Sequence, residues 1–237
     1  MTVKPRLLDL FCCEGGASRG YAEAGFEVVG VDIDPQPRYP YEFVRADALN
    51  VFVDRNGNWW THDLDRGLYG LGRIDAIHAS PPCQRFCDLA HRNGNADDWP
   101  DLIEPTRTRL QASGLPFIIE NVEGAPLIDP VMLCGTMFSG LRVLRHRLFE
   151  TNWSVEVPDH PKHPLVFTHD KRKAHYGKLD QNTSFVQVTG GGNATIANKR
   201  AAMGIDWMSN HGLNESLPPA YTRFLGARLM EVLDERR

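Results

Sequence analysis

Apolar and polar positions fall into alternating blocks along the first half of the chain. Arg6 to Phe11 reads as a buried strand and Ala17 to Ala24 as a helix, followed by strand-like runs at Phe26 to Val31 and Glu42 to Ala46. Ile74 to Ala79 and Pro116 to Ile119 are two further short apolar runs, with a polar helical stretch around Leu102 to Gln111 between them. That alternation predicts an α/β fold, a parallel sheet with helices on both faces. Right-handed crossovers then bring the strand-to-loop junctions to one edge of the sheet, where ligands bind.

After Phe149 the texture changes. Residues 151–186 are rich in Pro, His, Lys and Asn and show little periodicity, and Gly190-Gly191-Gly192 reads as a hinge or tight turn. Pro218 to Arg237 is a proline-started helix with Phe224, Leu225, Leu229 and Leu233 on one side. Val51 to Gly70, with Trp59-Trp60, reads as an inserted loop.

With 237 residues, 42% hydrophobic and 24% charged, the chain has room for one α/β domain plus a small appendage of ordinary soluble composition. The opening apolar run is too short for a signal peptide and no stretch is long enough to cross a bilayer, so a cytoplasmic protein is expected. A net charge of −4 argues against nucleic acid as a global partner. Between His160 and Lys178, however, Lys162, Lys171, Arg172, Lys173 and Lys178 face a single acid, Asp170, with His160, His163, His169 and His175 among them and His146 shortly before. Such a patch either neutralises phosphates or forms a solvated face. The five cysteines lack metal-finger spacing, since Cys83 and Cys87 have no second pair; no metal is expected, and any special cysteine should be reactive.

Three constellations carry chemistry. Asp9-Leu10-Phe11-Cys12-Cys13-Glu14-Gly15-Gly16 stands after a strand and before a helix, where glycines admit a ligand close to backbone N–H groups. Asp32, at the end of the second strand and about twenty residues on, suits two ribose hydroxyls. Asp47 suits an adenine amino group, or equally the N-cap of a helix starting at Ala48-Leu49. Ala79-Ser80-Pro81-Pro82-Cys83-Gln84 displays a cysteine on a stiffened loop past a strand end; taken alone it fits a nucleophile or a buried structural thiol. Glu120-Asn121-Val122 ends another strand on the same rim, with Glu120 either a neutral proton donor or an ordinary paired acid.

In this order these blocks resemble the DNA cytosine-5 methyltransferases: Asp9-Leu10-Phe11 with Gly15-Gly16, then Pro81-Pro82-Cys83-Gln84, Glu120-Asn121-Val122 and Arg145-His146-Arg147. The late stretches Ala202 to Met208 and Leu217 to Thr222 are similar to those of bacteriophage-encoded members. The resemblance implies a Rossmann-like S-adenosylmethionine-dependent methyltransferase sheet, with 1–150 and 187–237 catalytic and 151–186 a short irregular target-recognition region. It implies Cys83 as nucleophile toward cytosine C6 on a flipped-out base, Glu120 at N3 and the exocyclic amine, Arg147 at O2, and Arg145 bracing the loop or reaching phosphate. S-adenosylmethionine would lie across Asp9, Phe11, Glu14, Gly15, Gly16, Asp32, Ile33, Asp47, Ala48 and Pro81, closed by Tyr221 and Thr222. Double-stranded DNA would meet Gln84, Lys171, Arg172 and Lys173, and the protein is expected to be a monomer. Cys13 stands where the family usually has glycine and Ser80 where it usually has glycine or a similar small residue; Cys87 replaces serine or threonine and Val143 replaces glutamine. An RNA cytosine-5 methyltransferase and a catalytically silent DNA-binding relative are the alternatives.

Overall fold

The computed structural model describes residues 4–70, 72–163, 166–167, 184–189 and 194–236. In chain order the strands are β1 (Arg6–Leu10), β2 (Glu27–Asp32), β3 (Glu42–Arg45), β4 (Phe52–Val53), β5 (Trp59–Asp63), β6 (Gly67–Tyr69), β7 (Ala76–Ala79), β8 (Phe117–Asn121), β9 (Val131–Leu133), β10 (Arg147–Thr151), β11 (Val166–Phe167) and β12 (Phe185–Val186). The helices are α1 (Gly16–Glu23), α2 (Asp88–Asn93), α3 (Ile103–Ser113), α4 (Ile196–Met203), α5 (Asn210–Glu215) and α6 (Pro219–Glu235). Among the described residues no helix is long and apolar enough to cross a membrane.

Seven strands form the main sheet in the order β3-β2-β1-β7-β8-β10-β9. The first five are parallel, as the alternation of blocks predicts. β10 runs antiparallel to β8, and β9 antiparallel to β10, two strands that lie beyond the apolar runs read from the sequence. Their sequences hid them: β9 has only three residues, and Arg147 and Glu150 break the apolar run of β10.

Successive residues of a strand face opposite sides, and the core divides accordingly. Leu8, Leu10, Val29, Val31, Ile77 and Ile119 face one side, against Leu110 of α3 and Trp59. Leu7, Val28, Ala76 and Ile118 face the other, against Tyr21 of α1 and Tyr221, Leu225 and Leu229 of α6. Each fully buried leucine of that α6 stripe contributes about 2 kcal/mol of burial. Trp153, Val155 and Val157, just beyond β10, pack onto the same side.

The stretch Val51 to Gly70 is not a loop. β4, β5 and β6 form an antiparallel meander, and β5 alternates buried Trp59, Thr61 and Asp63 with exposed Trp60 and His62. The tryptophan pair obscured this period of two, since both residues look like core while only Trp59 enters it. Gly190 to Gly192 lie outside the described residues.

α1 and α6 cross closely at Gly20. A methyl group there would stand 2.1 Å from the Pro219 carbonyl oxygen and 2.5 Å from the Arg223 nitrogen, so α6 would have to move away. Gly20→Ala is expected to lower unfolding stability by about 2 kcal/mol, overpacking outweighing the gain in helix propensity. A denaturant titration midpoint at or above wild type would contradict this.

Candidate active site

The turn joining β1 to α1 is wound in the left-handed region three times, at Phe11 (φ 59°), Cys13 (φ 46°) and Gly15 (φ 85°). Only the last is a glycine, so Cys13, which stands where the resembled family has glycine, carries backbone strain. Its N–H donates to Asp32 Oδ2 at 2.9 Å, while Asp32 Oδ1 accepts from Asp34 N at 3.0 Å. Ile33 beside it is 55% exposed and Phe11 half-buried, leaving apolar surface next to an acid. Asp9 is fully buried beneath the turn. One carboxylate oxygen accepts from the Ser18 hydroxyl, the other has no partner among the described residues, and burial first, with Asp32 and Glu120 adding, pushes its pKa up to about 7.

The Pro81-Pro82-Cys83 loop leaves the end of β7, and Glu120 and Asn121 end the adjacent β8. Asn121 Nδ2 donates to the Pro81 carbonyl at 2.9 Å, tying the two strand ends together. Cys83 precedes a short 3₁₀ turn over Gln84–Phe86 and remains partly exposed. Burial and the Glu120 charge push its thiol up, against the opposing pull of Arg147 and Arg145. Glu120 is 7% exposed and pairs with Arg147 Nε at 3.0 Å. Burial still holds its pKa above the ordinary value, against Arg147, Arg145 and a hydrogen bond from Ser80.

A buried relay stands behind Glu120. Burial lowers the His78 pKa to about 3, so this imidazole is neutral and carries one N–H. If Ser80 donates to Glu120, it accepts from His78 Nε2 at 2.8 Å, and His78 Nδ1 then accepts from the Tyr21 hydroxyl at 2.9 Å. Tyr21 and His78 stand in no motif of the sequence, and Asn121 lies in the Glu-Asn-Val block without a role of its own. Only the position of His78 inside an apolar strand signalled anything, and a lone buried histidine has many explanations.

Arg145 is buried, and burial followed by the Arg147 charge lowers its pKa to about 9. It donates to the carbonyls of Val188 at 2.8 Å and Asn214 at 2.5 Å, so it braces the late segment rather than reaching outward.

Several expected cofactor contacts are engaged otherwise. Tyr221 and Thr222 have no exposed surface: the tyrosine hydroxyl donates to the Arg145 carbonyl at 2.7 Å, and Thr222 Oγ1 donates to the Ala17 carbonyl at 2.8 Å. Thr222 thus faces the α1–α6 seam, while Tyr221 packs against Phe138 and Phe149. Both Glu14 carboxylate oxygens accept from Ser209, through its N–H and hydroxyl at 2.7 Å each. Glu14 thus clamps the turn to the start of α5. Asp47 Oδ1 accepts from Leu49 N at 2.9 Å and caps a 3₁₀ turn, which buries Ala48. Gly16 opens α1, and Gln84 Oε1 is buried without a partner among the described residues. Lys171, Arg172 and Lys173 lie outside the described residues.

The family model described as C-5 cytosine-specific DNA methylase matches residues 5–128, just over half of the chain. The chain is 32% identical over 129 residues to the type II methyltransferase M.XorII of Xanthomonas oryzae, covering 52% of this chain and 29% of that protein. Against the type II methylase M.HgiDII of Herpetosiphon aurantiacus it is 26% identical over 117 residues, covering 49% and 32%. The matches therefore span about a third of those curated relatives. Among solved structures, a chain assigned as a DNA modification methyltransferase of an E. coli prophage shares the fold, with a TM-score of 0.58, 16% identity and coverage of 98% and 100% of the two chains. The S. pombe Dnmt2 methyltransferase does so with a TM-score of 0.55, 14% identity and the same coverage. With the glycine turn, the Pro-Pro-Cys loop and the Glu-Asn-Val strand end all inside the matched segment, the chain belongs to the C-5 cytosine-specific DNA methylase family.

Proposed function

We propose that this protein transfers a methyl group from S-adenosylmethionine to carbon 5 of cytosine in DNA, through a transient bond between Cys83 and ring carbon 6. The observation that carries this reading is the junction of β7 and β8. There a partly exposed thiol shares a rim with a buried carboxyl group paired to an arginine, and Asn121 locks the two loops together.

The residues of the first turn fit an adenosyl group with a charged amino-acid tail. Phe11 and Ile33 offer apolar faces, Asp32 offers acceptor lone pairs, and the orphaned buried oxygen of Asp9 lies under the glycine turn. When bound, S-adenosylmethionine supplies an electrophilic methyl group. Cys83, as thiolate, adds to C6 and makes C5 electron-rich. Glu120, protonated, donates toward N3 as charge builds on the ring, and Arg147 is placed to turn from Glu120 to the O2 oxygen. C5 takes the methyl group, with S-adenosylhomocysteine as the leaving product; the C5 proton then passes to solvent, its bonding pair re-forms the C5–C6 double bond, Cys83 leaves as thiolate and Glu120 recovers its proton. Residues 1–150 and 187–237 would form the catalytic domain. Residues 151–186 would read a short sequence context, with Lys171, Arg172 and Lys173 on phosphates.

Ser80 tests the carboxyl group. Its hydrogen bond favours ionised Glu120, so Ser80→Ala should raise the Glu120 pKa further. Because the reaction needs the protonated acid, the limb of the kcat/KM profile that Glu120 sets should move to higher pH by about one pH unit. A profile in which neither limb moves to higher pH would remove Glu120 from that role.

The activity itself is tested by incubating the full chain with methyl-labelled S-adenosylmethionine and, separately, duplex DNA or RNA. Label at cytosine C5 of DNA is expected. Label confined to RNA would overturn the DNA assignment, and no label in either would overturn the activity.

A further inference from the structure

From the sequence no metal is expected, and the histidines near residue 160 belong to a patch that either neutralises phosphates or forms a solvated face. The fold does something else with three of them. His146, just before β10, and His160 and His163, in the coil beyond it, converge on Cys134 at the end of β9, with one potential ligand atom from each inside a 4.8 Å span. We propose that Cys134, His146, His160 and His163 form a structural zinc site.

The spacing of the nitrogens argues for this. The three Nε2 atoms form a triangle with sides of 3.2 Å (His146–His160), 3.1 Å (His146–His163) and 3.1 Å (His160–His163). Cys134 Sγ stands 3.5 Å from His163 Nε2. With Zn–N near 2.0–2.1 Å and Zn–S near 2.3 Å, a tetrahedral ion requires edges of about 3.3 Å between nitrogens and about 3.6 Å from sulfur to nitrogen. Without a cation the triangle is unfavourable, because neutral rings must oppose lone pairs and protonated rings repel.

A second feature points the same way. His146 Nδ1 lies 2.9 Å from Glu123 Oε2, which fixes the proton on Nδ1 and frees the Nε2 lone pair toward the cluster. That carboxylate–imidazole pairing is the usual outer support of a metal-bound histidine. One thiolate and three imidazoles suit a borderline-soft divalent ion, and four protein ligands leave no position open for water. The consequence is mechanical. The ion would tie the coil that leads into residues 164–183 to the Arg145-His146-Arg147 loop, and so hold that loop, whose Arg147 pairs with Glu120, from outside.

The test is zinc content and affinity of the full-length chain, measured by elemental analysis and by competition with a chromogenic chelator, in wild-type and Cys83→Ala protein so that the reactive thiol is accounted for. One zinc per chain is expected in both. His160 and His163 are exposed, so His160→Ala and His163→Ala should fold normally yet fail to retain stoichiometric zinc. Glu123→Gln should weaken binding by about 10- to 100-fold. Cobalt substitution should give tetrahedral d–d bands and a thiolate charge-transfer band that Cys134→Ser removes. Substoichiometric zinc after equilibration in a zinc buffer would overturn the proposal, as would wild-type affinity in the His160→Ala/His163→Ala double variant. A cobalt spectrum without the thiolate band would overturn the four-ligand set.

Discussion

Cys83→Ser is expected to lower methyl transfer to DNA by at least about 10⁴-fold while leaving fold and S-adenosylmethionine affinity unchanged. The serine hydroxyl is far less acidic than a thiol and adds poorly to an aromatic C6, so the covalent route closes. Structural cost should be small, within about 0.5 kcal/mol, because the residue is partly exposed and its side chain makes no capping hydrogen bond. The two readouts separate chemistry from folding: labelled methyl incorporation should vanish, and a denaturant titration should superimpose on wild type. A duplex carrying 5-fluorocytosine gives a third, since the wild type should form a stable covalent adduct there and the variant none. Burial and the Glu120 charge hold the resting thiol protonated, and burial favours protonated Glu120, so the reactive pairing of thiolate with protonated acid is a minor form and wild-type turnover should pass through a maximum with pH. Wild-type turnover in the serine variant would remove the covalent route.

The largest stability effect is expected at Glu150→Gln, a loss of about 3 kcal/mol. Arg107 of α3 meets Glu150 of β10 through two parallel bonds, Nε to Oε1 and Nη2 to Oε2, each 2.7 Å, and both side chains are about 5% exposed. Glu150 Oε2 also accepts from Ile128 N at 2.9 Å, and Arg107 donates to the Pro126 carbonyl at 2.8 Å. This pair therefore organises the chain leaving β8. The amide keeps the shape and one acceptor but leaves the buried guanidinium without its balancing charge, the costly half of such a pair. Glu104, mostly solvent-exposed, touches the same guanidinium and offsets part of the loss. The double replacement Arg107→Met/Glu150→Leu should be less destabilising than the single change, because no buried charge remains. Urea unfolding of the three proteins decides; a single-variant loss under about 1 kcal/mol would show that the pair is not isolated from water.

Local order in the sequence carried much of this protein. Apolar runs of strand length located the five parallel strands, and glycine, proline, cysteine and acid at strand ends located the rim, because strand-to-loop junctions of a parallel sheet share one edge. What pairs with what was not legible there. The hairpin of β9 and β10, the Glu14–Ser209 clamp across 195 positions and the inward turn of Tyr221 and Thr222 arise from packing between distant segments. The same holds for the Tyr21–His78–Ser80 relay and for the meeting of Cys134 with three histidines. A side chain's type is written at its own position, but its partner is chosen by how the sheet and helices close, and closure is a property of the whole chain.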